Sequence, residues 1–225
     1  MKVNLQMVSR DENHAVLDGV FDEKTYQQFC AFFNNLDFAY RSLTGWQKVW
    51  RVSDGLVLAS SAYYAHKAPH NSMMDMLGNI VGTLGEQHFE SIVGKKGVDW
   101  DDYFMTPYIY PAGTKISWHN DHGYTGAAIF YTHSSWDPNW GGELFIAKTS
   151  PERELSCPDS IDRSNLAPLL NQYGIGSYIS PLPNRLVFTK GKTWHSINRV
   201  DKVAGDALRC SIVTFFYKRK CDAVH

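Results

Sequence analysis

The feature that most narrows the folds open to this chain is a series of short apolar runs in its second half. They cover residues 105–110, 115–119, 126–133, 142–147, 185–189, 194–200 and 208–217, with turn-forming residues between them. Runs this short, rich in Val, Ile, Phe and Tyr, read as strands rather than helices. Many short strands with intervening turns predict a sandwich or barrel. The first half is more mixed. His14 to Phe21 reads as a strand, with Ala15, Leu17 and Val20 apolar. Asp22 can cap a helix over 23–35, in which Tyr26, Phe29, Cys30 and Phe33 fall on one face. Residues 48–64 predict one or two strands around a turn at Ser53-Asp54-Gly55. Asn71 can cap a second helix over 72–93, with Met73, Leu77, Ile80 and Leu84 as its buried stripe and Gly78 and Gly82 marking close backbone packing.

One stretch interrupts the strand series. Residues 149–183 carry Pro151, Pro158, Pro168, Pro181 and Pro183 with charges of both signs. A connection that long is either functional, as a cover over a pocket, or a plain surface insertion with one short helix near Leu166–Gln172.

Composition removes several function classes. With 22 Lys+Arg against 23 Asp+Glu and no basic stripe, the chain has no footprint for the phosphates of nucleic acid. No apolar run approaches the ~20 residues of a membrane span, and the first residues lack the apolar core of a signal peptide. Cys30, Cys157, Cys210 and Cys221 form no Cys-x-x-Cys pair, so reduced thiols and a cytoplasmic location are expected. At 225 residues, one domain is expected, monomeric or homodimeric.

The chemistry concentrates at His119-Asn120-Asp121. In an extended segment, residues i and i+2 share a face, so an imidazole and a carboxylate converge on one point. In a chain with nine His, such a pair is by itself more often a surface or core contact than a metal site. His195, 76 residues further on, is the candidate third ligand. Two imidazoles and a carboxylate on one side of a metal leave the opposite positions open, the facial arrangement suited to Fe(II). His122 and His133 are the competitors. His122 should point away, and His133, at a strand end, is a candidate substrate contact rather than a ligand.

The surroundings add weight. In order, they are Tyr110, Gly113, His119-x-Asp121, Ile129-Phe130-Tyr131, Trp136, Gly141-Gly142-Glu143-Leu144-Phe145-Ile146, Asn184-Arg185-Leu186-Val187-Phe188, His195 with Val200, and Arg209-Cys210-Ser211. This series closely resembles the prolyl-4-hydroxylase-like branch of the Fe(II)/2-oxoglutarate-dependent dioxygenase superfamily, over roughly residues 105–218. The resemblance implies a double-stranded β-helix, or distorted jelly roll, at 101–225, braced by the strand and helices of 1–100. It implies Fe(II) on His119, Asp121 and His195, 2-oxoglutarate and O2 as co-substrates, and ascorbate as an addition in vitro. Asp121 argues against halogenation, because halogenases of the superfamily carry Gly or Ala there.

The resemblance also implies that Arg209 anchors the distal carboxylate of 2-oxoglutarate, helped by Ser211, with Tyr110 and Tyr131 as hydrogen-bonding tyrosines. Physical chemistry points the same way for Arg209. A guanidinium among Leu208, Ile212, Val213, Phe215 and Phe216 needs an anionic partner, either a ligand or a protein carboxylate. It departs from the family in lying 14 residues after His195, which residues 202–206 can absorb as a longer turn. Arg185 and Arg199 are the alternative anchors. Gly141-Gly142 permits close approach, Glu143 is expected at the surface, and Trp118 in the core. The expected reaction is oxidation of a C–H bond, by hydroxylation or oxidative cyclisation, in a small molecule such as an amino acid, amino sugar or antibiotic precursor. Asp101-Asp102, Asp137 and the acids at 152, 154, 159 and 162 are candidate contacts for a cationic substrate. The alternatives are a prolyl hydroxylase acting on a peptide or protein, and a non-catalytic jelly-roll binding protein.

Overall fold

Antiparallel pairing joins every neighbouring pair of strands in this protein, and two sheets result. The computed structural model describes residues 5–40, 52–67, 70–148 and 174–219. The strands are β1 Gln6–Arg10, β2 His14–Asp18, β3 Ala39–Tyr40, β4 Leu58–Ala59, β5 Tyr63–Tyr64, β6 Asp102–Tyr110, β7 Ile116–His119, β8 Gly126–Tyr131, β9 Leu144–Ala147, β10 Gly176–Ile179, β11 Arg185–Lys190, β12 His195–Ile197 and β13 Arg209–Tyr217. The larger sheet runs β1-β2-β11-β8-β13-β6-β4-β3, with β5 also on β6, and the smaller runs β10-β9-β12-β7. Together they make the double-stranded β-helix expected from the sequence.

Strand alternation sorts the residues of the large sheet. Its outer face carries Leu17, Met105, Phe130, Leu186, Phe188, Ile212 and Phe216, all buried against three helices. These are α1 Glu23–Asn34, α2 Ser72–Gln87 and α3 Glu90–Val93. Asp22 caps α1 by accepting from Thr25 N, and Tyr26, Phe29, Cys30 and Phe33 are its buried stripe, as predicted. Asn71 caps α2, which stops at Gln87 rather than running to 93. Its fully covered residues are Met74, Leu77 and Val81, while Met73, Ile80 and Leu84 are only partly covered. The Tyr103 ring explains the rotation. It lies so close to α2 that a Cβ on Gly78 would meet its hydroxyl at 2.7 Å.

The inner face of the large sheet meets the small sheet. Val16, Ile129, Tyr131 and Val187 pack there against Leu144, Ile146 and Ile179. Three strands were absent from the sequence reading, the two-residue β3 among them. β1 is a fully exposed edge, and β10 lies inside the proline-rich connection at 149–183. Residues 48–51, and most of the connection at 149–183, lie outside the described residues. Two other expectations are corrected. Trp118 is half-buried rather than core. Glu143 is buried, because Asn198 Nδ2 donates to its carboxylate at 2.8 Å.

His133 pins one end of the structure. It is 7% exposed, its Nδ1 accepts from Cys210 N at 3.2 Å, and its Nε2 donates to Pro181 O. Both ring nitrogens are therefore committed to backbone, so His133 is not the substrate contact the sequence suggested. Burial, which the Pro181 and Cys210 carbonyls only partly oppose, pushes its pKa down from 6.5 to about 4. Between those values the unfolded chain binds a proton that the folded protein refuses. The stabilisation is complete above pH 6.5 and is lost as pH falls toward 4, in total on the order of 3 kcal/mol. We expect the urea midpoint of His133→Gln to be lower than wild type at pH 7, with the gap closing by pH 4.5. Parallel pH profiles for the two proteins would contradict this role.

Candidate metal centre and its neighbouring pocket

β7 and β12 place the two histidines. His119 and His195 are direct cross-strand partners, with ring centroids 4.3 Å apart. An extra residue on the β7 side shifts the register between this pair and the next, Ile116 with Ile197. Each Nδ1 lies 2.8 Å from a carbonyl, that of Ser117 for His119 and that of Thr193 for His195. A carbonyl only accepts, so each Nδ1 carries the proton and each Nε2 presents a lone pair. Asp121 lies just past the end of β7, in a turn closed by Tyr124 N donating to its carbonyl at 3.2 Å. Its carboxylate oxygens lie 3.8 Å from His119 Nε2 and 3.4 Å from His195 Nε2. One donor atom from each of the three residues lies within 4.8 Å of the others.

The electrostatics match a cation-binding cluster. Burial works against the ionised carboxyl of Asp121, but His195, with His119 behind it, more than offsets burial and the net shift is downward. At His195, burial favours the neutral ring, the Asp121 carboxylate outweighs it, and the net shift is upward. A dication among these three groups would replace the proton that this arrangement attracts. His122 is exposed and takes no part.

The pocket residues come together on the inner face of the large sheet. Arg209, with 0% exposure, stands opposite Tyr110 on β6, and Ser211 stands opposite Tyr131 on β8. The guanidinium lies 4.9 Å from the Tyr110 ring centroid and 5.0 Å from that of Tyr131, a cation held between two π faces. Its Nε donates to Gly142 O at 2.6 Å and its Nη2 to the Tyr131 hydroxyl at 3.3 Å. Arg209 Nη1 and Ser211 Oγ are buried with no hydrogen-bond partner among the described residues, and no carboxylate there pairs with Arg209. Burial raises the pKa of both tyrosines despite the nearby guanidinium, so both stay as neutral hydroxyls.

Gly142 permits this arrangement. Its φ is +74°, and a Cβ there would sit 2.8 Å from Arg209 Cδ. The 14-residue offset of Arg209 is absorbed by a 3-10 turn at Lys202–Ala204, capped by Asp201. The two alternative anchors are occupied elsewhere. Arg185 makes a bidentate pair with Asp18 at 2.7 and 2.9 Å, and Arg199 donates to the Gly113 and Ser53 carbonyls. Of the acids read as contacts for a cationic substrate, those at 152, 154, 159 and 162 lie outside the described residues, and the other three are engaged too. Asp101 takes Arg219 N and Lys218, Asp102 takes His66 and the Tyr217 hydroxyl, and Asp137 caps a turn through Asn139 N.

Sequence reasoning missed a second group on this face. Phe104 has the same strand parity as Tyr110, and its register partner is Phe215. Their rings lie 5.3 Å apart, with Tyr64 5.4 Å from Phe104 and Tyr124 4.5 Å from Phe215. All four are half-buried. Burial, and then the Asp121 carboxylate, raises the pKa of Tyr124. Only the pairing of β6 with β13 assembles these rings, so no local pattern announces them.

No family model matches the chain, and no curated protein matches it by sequence. Solved structures do match. A prolyl-4-hydroxylase from Pseudomonas putida superposes with a TM-score of 0.57 at 14% identity, over 92% of this chain and 93% of its own. A prolyl hydroxylase from Trichoplax adhaerens, solved with a hypoxia-inducible-factor peptide fragment, gives 0.61 at 14%, over 92% and 84%. SnoN, a non-haem α-ketoglutarate-dependent epimerase from nogalamycin biosynthesis, gives 0.55 at 11%, over 92% and 78%. The fold of this protein is therefore that of the 2-oxoglutarate–Fe(II) oxygenases, and the prolyl-4-hydroxylases are among its structural neighbours.

Proposed function

We propose that this protein is an Fe(II)- and 2-oxoglutarate-dependent oxygenase that oxidises a C–H bond of a small molecule. The observation that carries the reading is the pairing of two half-sites on one fold. One is a cluster of two imidazoles and a carboxylate with its lone pairs turned inward; the other is a buried guanidinium with an unsatisfied N–H and no carboxylate partner among the described residues. The residues fit both groups. His119 Nε2, His195 Nε2 and Asp121 would hold Fe(II) from one side. Arg209, with Ser211 and the hydroxyls of Tyr110 and Tyr131, would hold the distal carboxylate of 2-oxoglutarate. When bound, iron would activate O2, which is the oxidant; two of the four electrons it takes come from 2-oxoglutarate as that becomes succinate and CO2, and two from the substrate C–H bond.

The chain's own residues do the rest. The Ser117 and Thr193 carbonyls hold the two Nδ1 protons and so orient the rings. Tyr110 and Tyr131 shield the guanidinium from water while their π faces attract its charge. The mutually tilted rings of Tyr64, Phe104, Tyr124 and Phe215 offer an aromatic cluster to a substrate, which suits a ring-bearing molecule such as an antibiotic precursor more than a free charged amino acid. A cytoplasmic location is part of the proposal, and the buried free thiols of Cys30 and Cys210 accord with it. The second reading, hydroxylation of a prolyl ring in a peptide, is favoured by the neighbours described as prolyl hydroxylases. Succinate release under O2, with ring-bearing small molecules, amino acids and aminoglycosides tested against proline-containing peptides, separates the two. Release with peptides alone would replace the first reading by the second.

Two site predictions follow from this assignment. His119→Ala and His195→Ala should each abolish turnover and weaken Fe(II) binding by ~100-fold or more, measured by anaerobic equilibrium dialysis, because two remaining ligands cannot hold a facial site. Wild-type iron affinity in either variant removes that histidine from the centre. Arg209→Ala should weaken 2-oxoglutarate binding roughly 10- to 100-fold, measured by anaerobic calorimetry, because a hydrogen bond to a charged group is worth ~1.5–3 kcal/mol. Arg209→Lys should fall between the two, keeping the charge and losing the fork. Iron affinity should stay close to wild type in both, and an unchanged 2-oxoglutarate constant in folded Arg209→Ala would remove the anchor.

A further inference from the structure

We propose that Asp54, in the segment before β4, is a positioning residue for His119 and through it sets the affinity of the metal centre. This rests on the metal reading above and assigns a role to a residue outside the ligand set. Among the described residues, β7 is an edge strand, hydrogen-bonded to β12 on one side only. A strand of four residues ending in a ligand is a loose mount unless its other side is held.

Asp54 holds it. The residue has 0% exposure and ends the 3-10 turn Val52–Asp54. Its backbone carbonyl accepts from Lys115 N at 2.9 Å. Its carboxylate accepts from Ser117 N at 3.2 Å and from Ser117 Oγ at 2.7 Å, with the Lys115 ammonium 3.7 Å away. Two successive outward N–H groups of the β7 edge are thus satisfied, one by backbone and one by side chain, as a neighbouring strand would do. Arg199, two residues past the end of β12, donates to Ser53 O at 3.1 Å and also reaches Gly113 O, which fastens the segment to the same corner. Gly55, with φ +86°, turns the chain away where a Cβ would stand 3.1 Å from Thr114 Cγ2.

The link to the metal runs through one residue. Ser117, gripped by Asp54 at its N–H and its hydroxyl, offers its carbonyl to His119 Nδ1 at 2.8 Å. That hydrogen bond fixes the tautomer and the ring rotation that aim Nε2 at Asp121 and His195. Groups that orient a ligand from outside the first coordination shell commonly change metal affinity 10- to 100-fold. The acceptor for His195 is Thr193 O, in a different turn, so His195 serves as an internal reference.

The test uses the full chain loaded with Co(II), whose paramagnetism shifts the exchangeable Nδ1–H protons of coordinated histidines out of the bulk NMR spectrum. Wild type should show two such signals, absent in turn from His119→Ala and His195→Ala. In Asp54→Asn and Ser117→Ala, the His119 signal should exchange with solvent about 10-fold faster or move, the His195 signal should stay in place, and Co(II) affinity should fall about 10-fold. Asp54→Glu, which keeps the carboxylate, should recover part of the loss. Unchanged exchange and affinity in the folded variants would overturn the proposal, as would equal changes in both histidine signals, which is what general loosening of the fold produces. A wild type that binds no Co(II) would overturn the metal reading and this role with it.

Discussion

The pairing of β7 with β12 is the interaction on which the site depends. Residues 76 apart in the chain, His119 and His195, become direct neighbours only because these two short strands share a register. The strands supply few hydrogen bonds of their own. The register is instead enforced from outside, by β9 on one flank of β12 and by the Asp54 segment on the free flank of β7. The local turn at Asp121 then adds the carboxylate without needing further strand geometry. The Asp121 carboxylate keeps 17% side-chain exposure, against 8% and 9% for the two histidines.

Arg209 gives the large sheet its second constraint. A buried, uncompensated guanidinium is among the least tolerated groups in a protein interior. Here it is relieved by two tyrosine faces and two neutral acceptors, which soften the cost without neutralising the charge. The remaining N–H and the neighbouring Ser211 hydroxyl define what would complete it, a small anion with at least two acceptor oxygens. Gly142 serves the same end from the small sheet, since any side chain there would displace the arginine. The metal cluster is carried by β7 and β12 of the small sheet and Arg209 by β13 of the large sheet, whose inner face packs on the small one, which is why metal and anion chemistry can be read as one active centre.

Much of this was legible in the sequence because it is locally encoded. The α1 stripe followed from helical periodicity, the caps Asp22 and Asn71 from side-chain chemistry, and the His-x-Asp pair from its spacing. The parts that were misread are those decided by tertiary contacts. The face of α2 is turned by Tyr103 reaching its glycines, and Glu143 is buried through Asn198, 55 residues away. His133 looked like a pocket residue because strand ends often are, but its two backbone partners lie on separate segments. Asp54 looked like an ordinary turn residue, since nothing near it in sequence shows that Ser117 is its partner. β1 was invisible because all five of its residues are exposed and carry no alternation.

As proposed, the histidine–aspartate cluster and the Arg209 pocket act as one chelating centre for iron and a 2-oxo acid. This claim is tested most directly by the visible spectrum of the protein without O2. Fe(II) alone and 2-oxoglutarate alone should each leave it colourless. Both together should give a weak charge-transfer band, because the keto acid then binds the metal through two oxygens while its far carboxylate rests on Arg209. A protein that binds Fe(II) at His119, Asp121 and His195 but shows no band at saturating 2-oxoglutarate would contradict the claim.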